Sequence, residues 1–358
     1  EVKKIMERFS SKIAILVILL INAGGLYNAA AQTKTKDQSN VRALLWQDPG
    51  NIAERDLTFG PGSRERAPAP PFTFVKEDKD GESPKFVVTD KNNVKWSVKL
   101  GVESQPETVA TRIVWAMGYF VEETYYIDRV AIQKLPKLSR GSKFVERGNT
   151  VLGARFEPRR ENVKRGENWS WLKNPFDGTR EFNGLKTLMV LLANYDARPE
   201  NNRILTEKDP RTGKAESRYV VTDLGATFGH VGGLGGKRSK NDLKDYQHGP
   251  LVRKVSNGVM EFNFRTRPSG LGYFTFVFSP GYWKSQTDKE KAMRRIHAGH
   301  AQWMAGMLSR LSDKQLHDAF RAANYHPTTA EGFVRAIRIR IGEIANPPVT
   351  SSRNRASS

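Results

Sequence analysis

The sequence predicts an α+β fold in which a small antiparallel sheet with one helix precedes a larger, mainly helical part. Three short β-rich runs, at 72–75, 85–89 and 94–100, are separated by turn residues, which is typical of antiparallel strands. Further along, residues 183–194 have a helical pattern that is too apolar to be exposed. With 38% hydrophobic and 27% charged residues over 358 positions, the chain has room for a large core in two lobes or domains.

The first residues have the three parts of a secretory signal peptide. A basic stretch precedes the apolar run 13–21, and Ala29 and Ala30 supply small residues for cleavage near Ala31. The nine residues of the apolar run are too few to span a bilayer. We therefore expect an exported protein, periplasmic or extracellular, with no transmembrane anchor in its mature form. An amphipathic first helix of the fold is the alternative interpretation.

The chain is strongly basic, with a formal net charge of +20, and removal of residues 1–31, with four basic and two acidic residues, leaves about +18. Such a charge suits nucleic acid, anionic lipid or acidic substrates. The sequence has no zinc spacing, basic-aromatic repeat or other nucleic-acid module, so we expect dispersed surface charge and no specific nucleic-acid partner. Cysteine is absent, which excludes disulfides, thiolate metal sites and cysteine nucleophiles.

The main group of candidate functional residues lies around position 200. Asp196 follows an apolar run, Asn201 lies in the polar turn after it, and Asp223 ends a later strand-like run. Phosphoryl transfer needs such parts: one carboxylate to orient the attacking hydroxyl, and an oxygen pair to hold magnesium against the phosphates. The structural alternative is a polar turn in which Asp196 caps and Asn201 and Asn202 supply turn geometry.

The segment Asp-x-Arg-Pro-Glu-Asn at 196–201 resembles the catalytic loop of protein kinases, and Asp-Leu-Gly at 223–225 resembles their metal-binding triplet. Asn194 and Tyr195 stand where those kinases usually have His-Arg, and Leu224 stands where they usually have Phe. The run 223–229 is also similar to the spore-coat CotH kinases, and the layout is similar to that of the HipA kinases. The chain is therefore identified as an atypical member of the protein-kinase-like superfamily.

The resemblance implies a two-lobed protein-kinase-like fold that binds ATP with Mg²⁺ or Mn²⁺ and transfers phosphate to a hydroxyl-bearing acceptor, which could be a protein, a glycan or a small molecule. Asp196 would be the catalytic base or the hydroxyl-orienting carboxylate, and Arg198 would neutralise the transferring phosphate. Asn201 and Asp223 would be the metal ligands, with Asn202 in place of Asn201 if the loop is one residue longer.

The small lobe would supply the phosphate-binding residues. Lys99, on the third β-rich run, resembles the phosphate-binding strand lysine and is expected beside an apolar pocket; a solvated edge lysine is the alternative. Glu107, in a helix from Ser104 to about Gly118, would pair with Lys99 or would cap its own helix through a Ser-x-x-Glu box. A loop with Ser83 and Lys85 would cover the phosphates, and an ordinary hairpin turn explains it equally well.

The composition divides the chain into five segments. They are a signal peptide at 1–31, a linker at 32–70, a small lobe with an insertion at 71–180, a large lobe at 181–348 and a disordered tail at 349–358. The Trp- and Arg-rich stretch 136–180 would suit a substrate or sugar platform, while packing between the lobes is the default interpretation. The glycine-rich segment 229–236 stands where an activation or substrate loop is expected.

The C-terminal part is predicted to be helical. Three capping boxes mark the expected helix starts, at Thr287, Ser312 and Thr328. The first would open one helix with an apolar stripe from Met293 to Leu311. His300 lies on this stripe and His297 three residues before it, but no carboxylate or thiol stands at ligand spacing, so we expect no metal site there.

Two other functions stay open. A catalytically inactive kinase-like module would bind a phosphorylated or polyanionic envelope ligand without turnover. A basic cell-wall or envelope interaction protein would carry the motifs by coincidence, with Lys99 far from Asp223. The kinase interpretation requires Lys99 and Asp223 to face one cleft, so their separation in the structure discriminates between these possibilities.

Overall fold

The computed structural model describes residues 41–159, 164–208, 212–231, 238–266 and 280–348. The predicted signal peptide at 1–31 and tail at 349–358 lie outside the described residues, as does most of the glycine-rich segment 229–236. The described chain is a mixed α+β structure, as the sequence predicts. Within these ranges, no helix combines the length and the apolar character needed to cross a bilayer.

Strands dominate the first half of the described chain and helices the second. The strands are β1 (Arg42–Leu44), β2 (Phe72–Asp78), β3 (Lys85–Thr89), β4 (Lys95–Leu100), β5 (Tyr125–Gln133), β6 (Val145–Glu146), β7 (Thr150–Pro158), β8 (Lys164–Arg165), β9 (Asn202–Lys208), β10 (Ala215–Val221), β11 (Val252–Ser256), β12 (Val259–Phe262) and β13 (Ile296–His297). The α-helices are α1 (Ser104–Ala116), α2 (Arg180–Leu191), α3 (Leu243–Tyr246), α4 (Pro280–Ala292), α5 (Ala298–Leu308), α6 (Asp313–Ala322) and α7 (Pro327–Ala345). Short 3₁₀ helices span Ile52–Glu54, Ser142–Phe144 and Pro199–Asn201.

Five strands close into a small barrel. Antiparallel pairs join β2 to β3, β3 to β4, β4 to β7 and β7 to β5, and a parallel pair between β5 and β2 completes the ring. Aromatic side chains fill its interior, among them Phe72, Phe86, Trp96 and Phe156. Strand β7 lies inside 136–180, where the sequence predicts a loop-rich insertion. The predicted antiparallel sheet is therefore a closed barrel with one parallel pair.

Helix α2 lies at the centre of the helical part. All of its residues from Phe182 to Leu191 are buried, and the hydroxyl of Thr179 caps its N-terminus by accepting a hydrogen bond from the Phe182 amide at 3.2 Å. The helix predicted at 183–194 is confirmed, and it starts and ends three residues earlier. Its apolar side chains share one core cluster with residues of α1, α5, α6 and α7. The loop that carries Asp196 therefore follows a helix that is buried along most of its length.

The barrel and the helices have separate core clusters, but the described residues from 43 to 348 belong to one compact unit. Helix α1, predicted as part of a small lobe, contributes Val109, Ile113 and Val114 to the larger cluster of the helical part. Its apolar stripe thus packs against helices and not in the interior of the barrel. The division into two lobes stays a prediction.

Residues 43–70 are packed, in contrast to the linker predicted at 32–70. Leu45 and Ile52 are buried in the larger core cluster, and the guanidinium of Arg112 in α1 donates to the Thr58 carbonyl at 3.1 Å. Gly60 and Gly62, two of the glycines that suggested a linker, lie where the chain packs closely. Gly60 has a φ of 60°, and a Cβ there would lie 2.7 Å from Cγ of Arg112.

The aromatic stretch at 136–180 contributes to the core. Trp169 and Trp171 are 3% and 4% exposed, and their ring centroids lie 4.9 Å apart. The indole of Trp169 donates to the Val220 carbonyl at 3.0 Å, which satisfies its polar atom. Because neither ring is available to solvent, the sugar-platform interpretation is wrong for these two residues. Both rings are packed in the core, while packing between two lobes stays a prediction.

One of the three predicted capping boxes forms. At the start of α6 the Ser312 hydroxyl accepts from the Gln315 amide at 3.2 Å, and the Gln315 side chain accepts from the Ser312 amide at 2.8 Å. Thr287 lies inside α4 and Thr328 follows the first residue of α7, so these two predictions are wrong. In α7 the sequence His326-Pro327 starts the helix instead, because proline is preorganised for the first helical position.

The single helix predicted across 293–311 is interrupted. Helix α4 ends at Ala292 and α5 begins at Ala298, with Arg295 between them in the left-handed region at a φ of 57°. The rings of His297 and His300 lie 4.6 Å apart, and Asn183 Nδ2 is 3.1 Å from His300 Nδ1. In the described ranges, no group of three or more histidines and carboxylates is arranged to hold a metal ion. The two histidines therefore do not belong to such a group.

Candidate active site

One cleft of about 520 Å³ brings together all eight residues that the sequence predicts for the site. Its walls come from the β2–β3 loop, strands β4 and β7, helix α1 and the segments that follow α2 and β10. The predicted residues that line it are Ser83, Lys85, Lys99, Glu107, Asp196, Arg198, Asn201 and Asp223. Lys99 and Asp223 therefore face the same cavity, which excludes the arrangement expected for a coincidence of motifs.

Lys99 lies on the face of β4 opposite the barrel interior. Side chains alternate along a strand, so Trp96 and Val98 fill the barrel while Ser97 and Lys99 line the cleft. The Lys99 side chain is only 5% exposed. It is neither a solvated edge lysine nor a lysine beside an apolar pocket, because the groups around its ammonium are carboxylates.

Three carboxylates surround the Lys99 ammonium. Its Nζ lies 3.0 Å from Glu107 Oε2, 2.6 Å from Asp223 Oδ1 and 2.7 Å from Glu103 Oε2. An ammonium has three N–H donors, so each of them has an acceptor. Burial disfavours the charged form of Lys99, but Glu107, Asp223 and Glu103 outweigh burial and raise its pKa. Lys99 is therefore a fixed positive charge at neutral pH.

Glu107 pairs with Lys99 and does not cap its helix. The hydroxyl of Ser104, which would form the capping box, donates to the Lys99 carbonyl at 3.0 Å instead. Glu107 is 3% exposed, and its Oε2 also lies 3.3 Å from Nε of Arg155 on strand β7. A carboxylate that is shared by two cations holds both in position at the back of the cleft.

Asp223 is held at the mouth of the cleft by backbone geometry. Its φ of 53° places a non-glycine residue in the left-handed region, which is a strained conformation that recurs at functional sites. The preceding Thr222 donates from its amide and its hydroxyl to the Asn201 carbonyl at 2.9 and 3.0 Å. A Cβ at Gly225 would lie 2.6 Å from Cβ of Glu103, so this turn needs glycine. The two hydrogen bonds from Thr222 join the segment of Asp223 to that of Asn201.

The Asp196 carboxylate is held by two cations and an amide. Lys289 Nζ of helix α4 lies 2.6 Å from Oδ1, while Arg198 Nη2 and Asn201 Nδ2 lie 2.8 and 3.0 Å from Oδ2. Burial would raise the pKa of Asp196, but the charges and hydrogen bonds of Lys289 and Arg198 outweigh burial and lower it. Asp196 is therefore ionised at neutral pH.

Asn201 lines the cleft, whereas Asn202 faces the core. The Asn201 side-chain amide donates to the Asp196 carbonyl at 2.9 Å and to its Oδ2 at 3.0 Å, which leaves Oδ1 as the atom suited to a cation. Asn202 is 1% exposed and donates to the Trp169 carbonyl at 3.1 Å. Between the two alternatives, the geometry favours Asn201.

The donor set of Asn201 and Asp223 fits a hard divalent cation. Magnesium in phosphate-transfer sites is bound through one or two protein oxygens, with water and substrate phosphates completing its shell. Asp223 is 41% exposed, so its carboxylate has access to solvent and to a ligand in the cleft. An amide oxygen and an accessible carboxylate on two connected segments match that pattern for Mg²⁺ or Mn²⁺.

Sequence reasoning did not single out four charged residues of this site. They are Glu103, Arg155, Lys240 and Lys289. Glu103 had a local signal, since it lies four residues from both Lys99 and Glu107. Arg155 interrupts an otherwise apolar part of strand β7. Lys289 contacts Asp196 across 93 positions of sequence and has no local signal.

No protein-family model and no curated protein matches this chain. Two solved structures of a Golgi casein kinase are weakly similar to it. One, with Mn/ADP bound, has a TM-score of 0.34 and 10% identity, covering 84% of this chain and 80% of that one. The other has a TM-score of 0.34 and 11% identity, covering 78% of this chain and 71% of that one. Likeness at this level establishes no function for this chain.

Proposed function

We propose that this chain is a kinase-like phosphotransferase that binds ATP with Mg²⁺ or Mn²⁺ in the cleft and transfers phosphate to a hydroxyl acceptor. The observation that carries the proposal is the position of Lys99, 3.0 Å from Glu107 and 2.6 Å from Asp223, which lies 124 residues away in sequence. A strand lysine, a helix glutamate and the aspartate of a metal-binding triplet are the parts that protein kinases bring together around the phosphates.

The phosphates of the donor would be bound by Lys99, Lys85 and Ser83. Lys85 stands directly opposite Lys99 in the β3–β4 pair, and residues at opposite positions project from the same face of a sheet. Ser83 lies in the loop just before β3 and lines the same cleft. Two ammonium groups and a hydroxyl would thus face the phosphate oxygens, while Glu107 keeps Lys99 in place.

The metal would be held by Asn201 Oδ1 and the Asp223 carboxylate. When bound, it would neutralise charge on the phosphate oxygens as a Lewis acid. The role of this chain is to place the two oxygen ligands, which the hydrogen bonds from Thr222 to the Asn201 carbonyl do by joining their segments.

The acceptor hydroxyl would be oriented by Asp196. An ionised carboxylate accepts a hydrogen bond from a hydroxyl, but a carboxylate of lowered pKa is a weak base. Orientation is therefore favoured over removal of the proton before transfer. Arg198 is 38% exposed in the same cleft, and its guanidinium would neutralise charge on the phosphoryl group as it moves.

A thermal-shift titration of the full chain with ATP and Mn²⁺ tests the proposal. We expect a rise in the melting midpoint that needs both nucleotide and metal and that Asp223→Ala abolishes. Asp128→Ala is the matched control, because Asp128 is exposed on β5 outside the residues that line the cleft. The absence of any metal-dependent rise in the wild-type protein would contradict nucleotide binding.

A catalytically inactive binding module is the second candidate. It is favoured by the existing contacts of Lys99 and Asp196. The Lys99 ammonium already contacts three carboxylates, and both carboxylate oxygens of Asp196 already contact other side chains. This candidate would bind a phosphorylated or polyanionic envelope ligand, and it predicts no release or transfer of the γ-phosphate of ATP. Incubation with γ-³²P-labelled ATP separates the two, because any Asp196-dependent phosphate release or transfer supports the enzyme.

Export belongs to the same proposal and rests on the sequence of residues 1–31. An exported kinase-like protein would act on an acceptor in the periplasm or outside the cell. N-terminal sequencing of the protein recovered from an expressing bacterial culture tests this, with a start near Gln32 in the exported fraction expected and an uncleaved cytoplasmic protein contradicting it.

A further inference from the structure

Glu103 is a carboxylate in the cleft for which the proposed chemistry has no role. It occupies the N-cap position of α1, yet its side chain makes no capping hydrogen bond to that helix. Instead the side chain is 16% exposed and lines the cleft. An N-cap glutamate that turns away from its own helix needs another explanation.

Donors from three separate parts of the chain converge on this carboxylate. Lys99 Nζ of strand β4 lies 2.7 Å from Oε2, and the Ser83 hydroxyl of the β2–β3 loop donates to the same oxygen at 2.9 Å. Lys240 donates to Oε1 at 2.5 Å. Two ammonium groups and a hydroxyl around a pair of oxygens make a set of charge-assisted contacts that suits phosphate as well as carboxylate.

The group held in this position is an anion at neutral pH. Burial disfavours the charged form of Glu103, but Lys99 and Lys240 outweigh burial and lower its pKa to about 2. The neighbouring carboxylate, Glu107, is less exposed and is anchored by Arg155 as well as by Lys99. Of these two carboxylates, Glu103 is therefore the one whose partners could be transferred to an incoming anion.

We propose that Glu103 is an internal anion that occupies the phosphate position of the cleft, so that donor phosphate binds to Lys99, Lys240 and Ser83 in its place. The inference rests on the proposed function and adds Lys240 to the phosphate-binding residues. Exchange of one anion for another keeps both ammonium groups paired with a negative charge. Glu103 acts as a built-in competitor that lowers the affinity for the donor.

The size of the effect follows from the occupancy of Glu103. If the Glu103 side chain is away from the phosphate position for about a tenth of the time, only about a tenth of the protein can bind ATP. The apparent dissociation constant for ATP is then about tenfold higher than it would be without this competition. Glu103→Gln keeps the shape and removes the charge, so it should tighten binding by about that factor. Lys240→Met removes a charge-assisted contact and should weaken binding about tenfold or more.

Calorimetric titration of ATP with Mn²⁺ into the full chain tests the inference. The matched control is Glu157→Gln, which removes another carboxylate of the cleft that pairs with Arg155 at 2.7 Å. We expect Glu103→Gln to bind more tightly than wild type, Lys240→Met more weakly, and Glu157→Gln within about threefold of wild type, a change too small for a direct competitor. Glu103→Asp, which withdraws the carboxylate from Lys99, should also tighten binding if Glu103→Gln does not fold.

The outcomes that overturn the inference differ from those that overturn the proposed function. If wild type binds and neither Glu103 variant binds more tightly, or if Lys240→Met binds as well as wild type, Glu103 does not occupy the phosphate position. Equal tightening by Glu157→Gln would show a general charge effect and would also overturn it. If neither wild type nor any variant binds, the nucleotide site itself is contradicted, and the inference falls with it.

Discussion

The two sides of the cleft have opposite arrangements of charge. On one side a single ammonium, Lys99, lies among three carboxylates. On the other side a single carboxylate, Asp196, lies between the cations Lys289 and Arg198. Both central groups are largely buried, at 5% and 17% exposure, and a buried charge persists only with partners of opposite sign.

The difference indicates how each side would respond to phosphate. The partners of Lys99 are anions, and one of them, Glu103, is the anion that a phosphate would replace. The partners of Asp196 are cations, which a phosphate would join, and Arg198 of this pair lines the cleft. We therefore expect that Lys99 changes a partner when phosphate binds, whereas Asp196 keeps its partners.

The largest expected effect comes from neutralising the centre of the Asp196 side. Asp196→Asn keeps the shape but loses the charged acceptor, and we expect phosphoryl transfer to fall about 10²- to 10⁴-fold. Binding of ATP with Mn²⁺ should change little, because most of the donor contacts lie on the Lys99 side and the charge of Arg198 is retained. Release or transfer of γ-³²P measures the first and calorimetry the second. A large loss of ATP binding with unchanged turnover per bound ATP would contradict the assignment of transfer to Asp196 and of ATP binding to the Lys99 side.

Removal of Lys289 tests how far Asp196 depends on its cations. Lys289→Met should lower the free energy of unfolding by about 3 kcal/mol, the lower end of the range for a broken buried pair, because Arg198 remains. Lys284→Met on the same helix is the control, since its side chain is 81% exposed and pairs with Asp288 at the surface. Urea unfolding of both variants measures the difference, and equal losses would contradict a special role for Lys289.

Acid should lower the free energy of unfolding by protonating Glu103, which then loses its ion pairs on the Lys99 side. Its pKa is lowered to about 2 in the folded chain, so its ion pairs stabilise the fold above the unfolded pKa and are lost as pH falls toward 2. At pH 6 we expect Glu103→Gln to lower the free energy of unfolding by about 2 kcal/mol, a value discounted for the partial exposure of Lys240. Unfolding in urea between pH 6 and pH 3 measures the difference, which should shrink with acid. A difference that grows toward pH 3 would reverse the sign of the linkage.

The smallest expected effect concerns the close approach of Gly225 to Glu103 on the Lys99 side. Because a Cβ there would lie 2.6 Å from Cβ of Glu103, Gly225→Ala should lower the free energy of unfolding by about 1 kcal/mol and weaken ATP binding. Gly306→Ala in helix α5 is the control, since no atom lies within 4 Å of its added Cβ. Chemical denaturation should find the control as stable as wild type or more stable. Equal losses in both variants would contradict close packing at Gly225.

The parts of the site that could be predicted are those with local patterns. Lys99 and Glu107 are joined by one strand-to-helix connection. Asp196 and Asp223 each follow an apolar run, and Asn201 lies in the polar turn after Asp196. Such signals depend on periodicity and turn chemistry within a few residues, which a single sequence displays. The order of the elements therefore sufficed to expect one cleft.

The remaining parts depend on long-range contacts. Lys289 reaches Asp196 from a helix 93 positions away, and β7 closes the barrel through pairs with β4 and β5. The burial of Leu45 was hidden by a Pro- and Gly-rich composition, which describes backbone turns and carries no information on packing. Tertiary contacts of this kind leave no periodic pattern in the sequence.

The most direct measurement is a crystal structure of the chain with Mn²⁺ and a non-hydrolysable ATP analogue. The account predicts phosphates in contact with Lys99, Mn²⁺ bound by Asn201 Oδ1 and Asp223, and Arg198 beside the γ-phosphate. It also predicts that Asp196 keeps its contact with Lys289. An analogue bound outside this cleft, or Mn²⁺ coordinated without Asp223, would contradict the assignment of this cleft as a phosphoryl-transfer site.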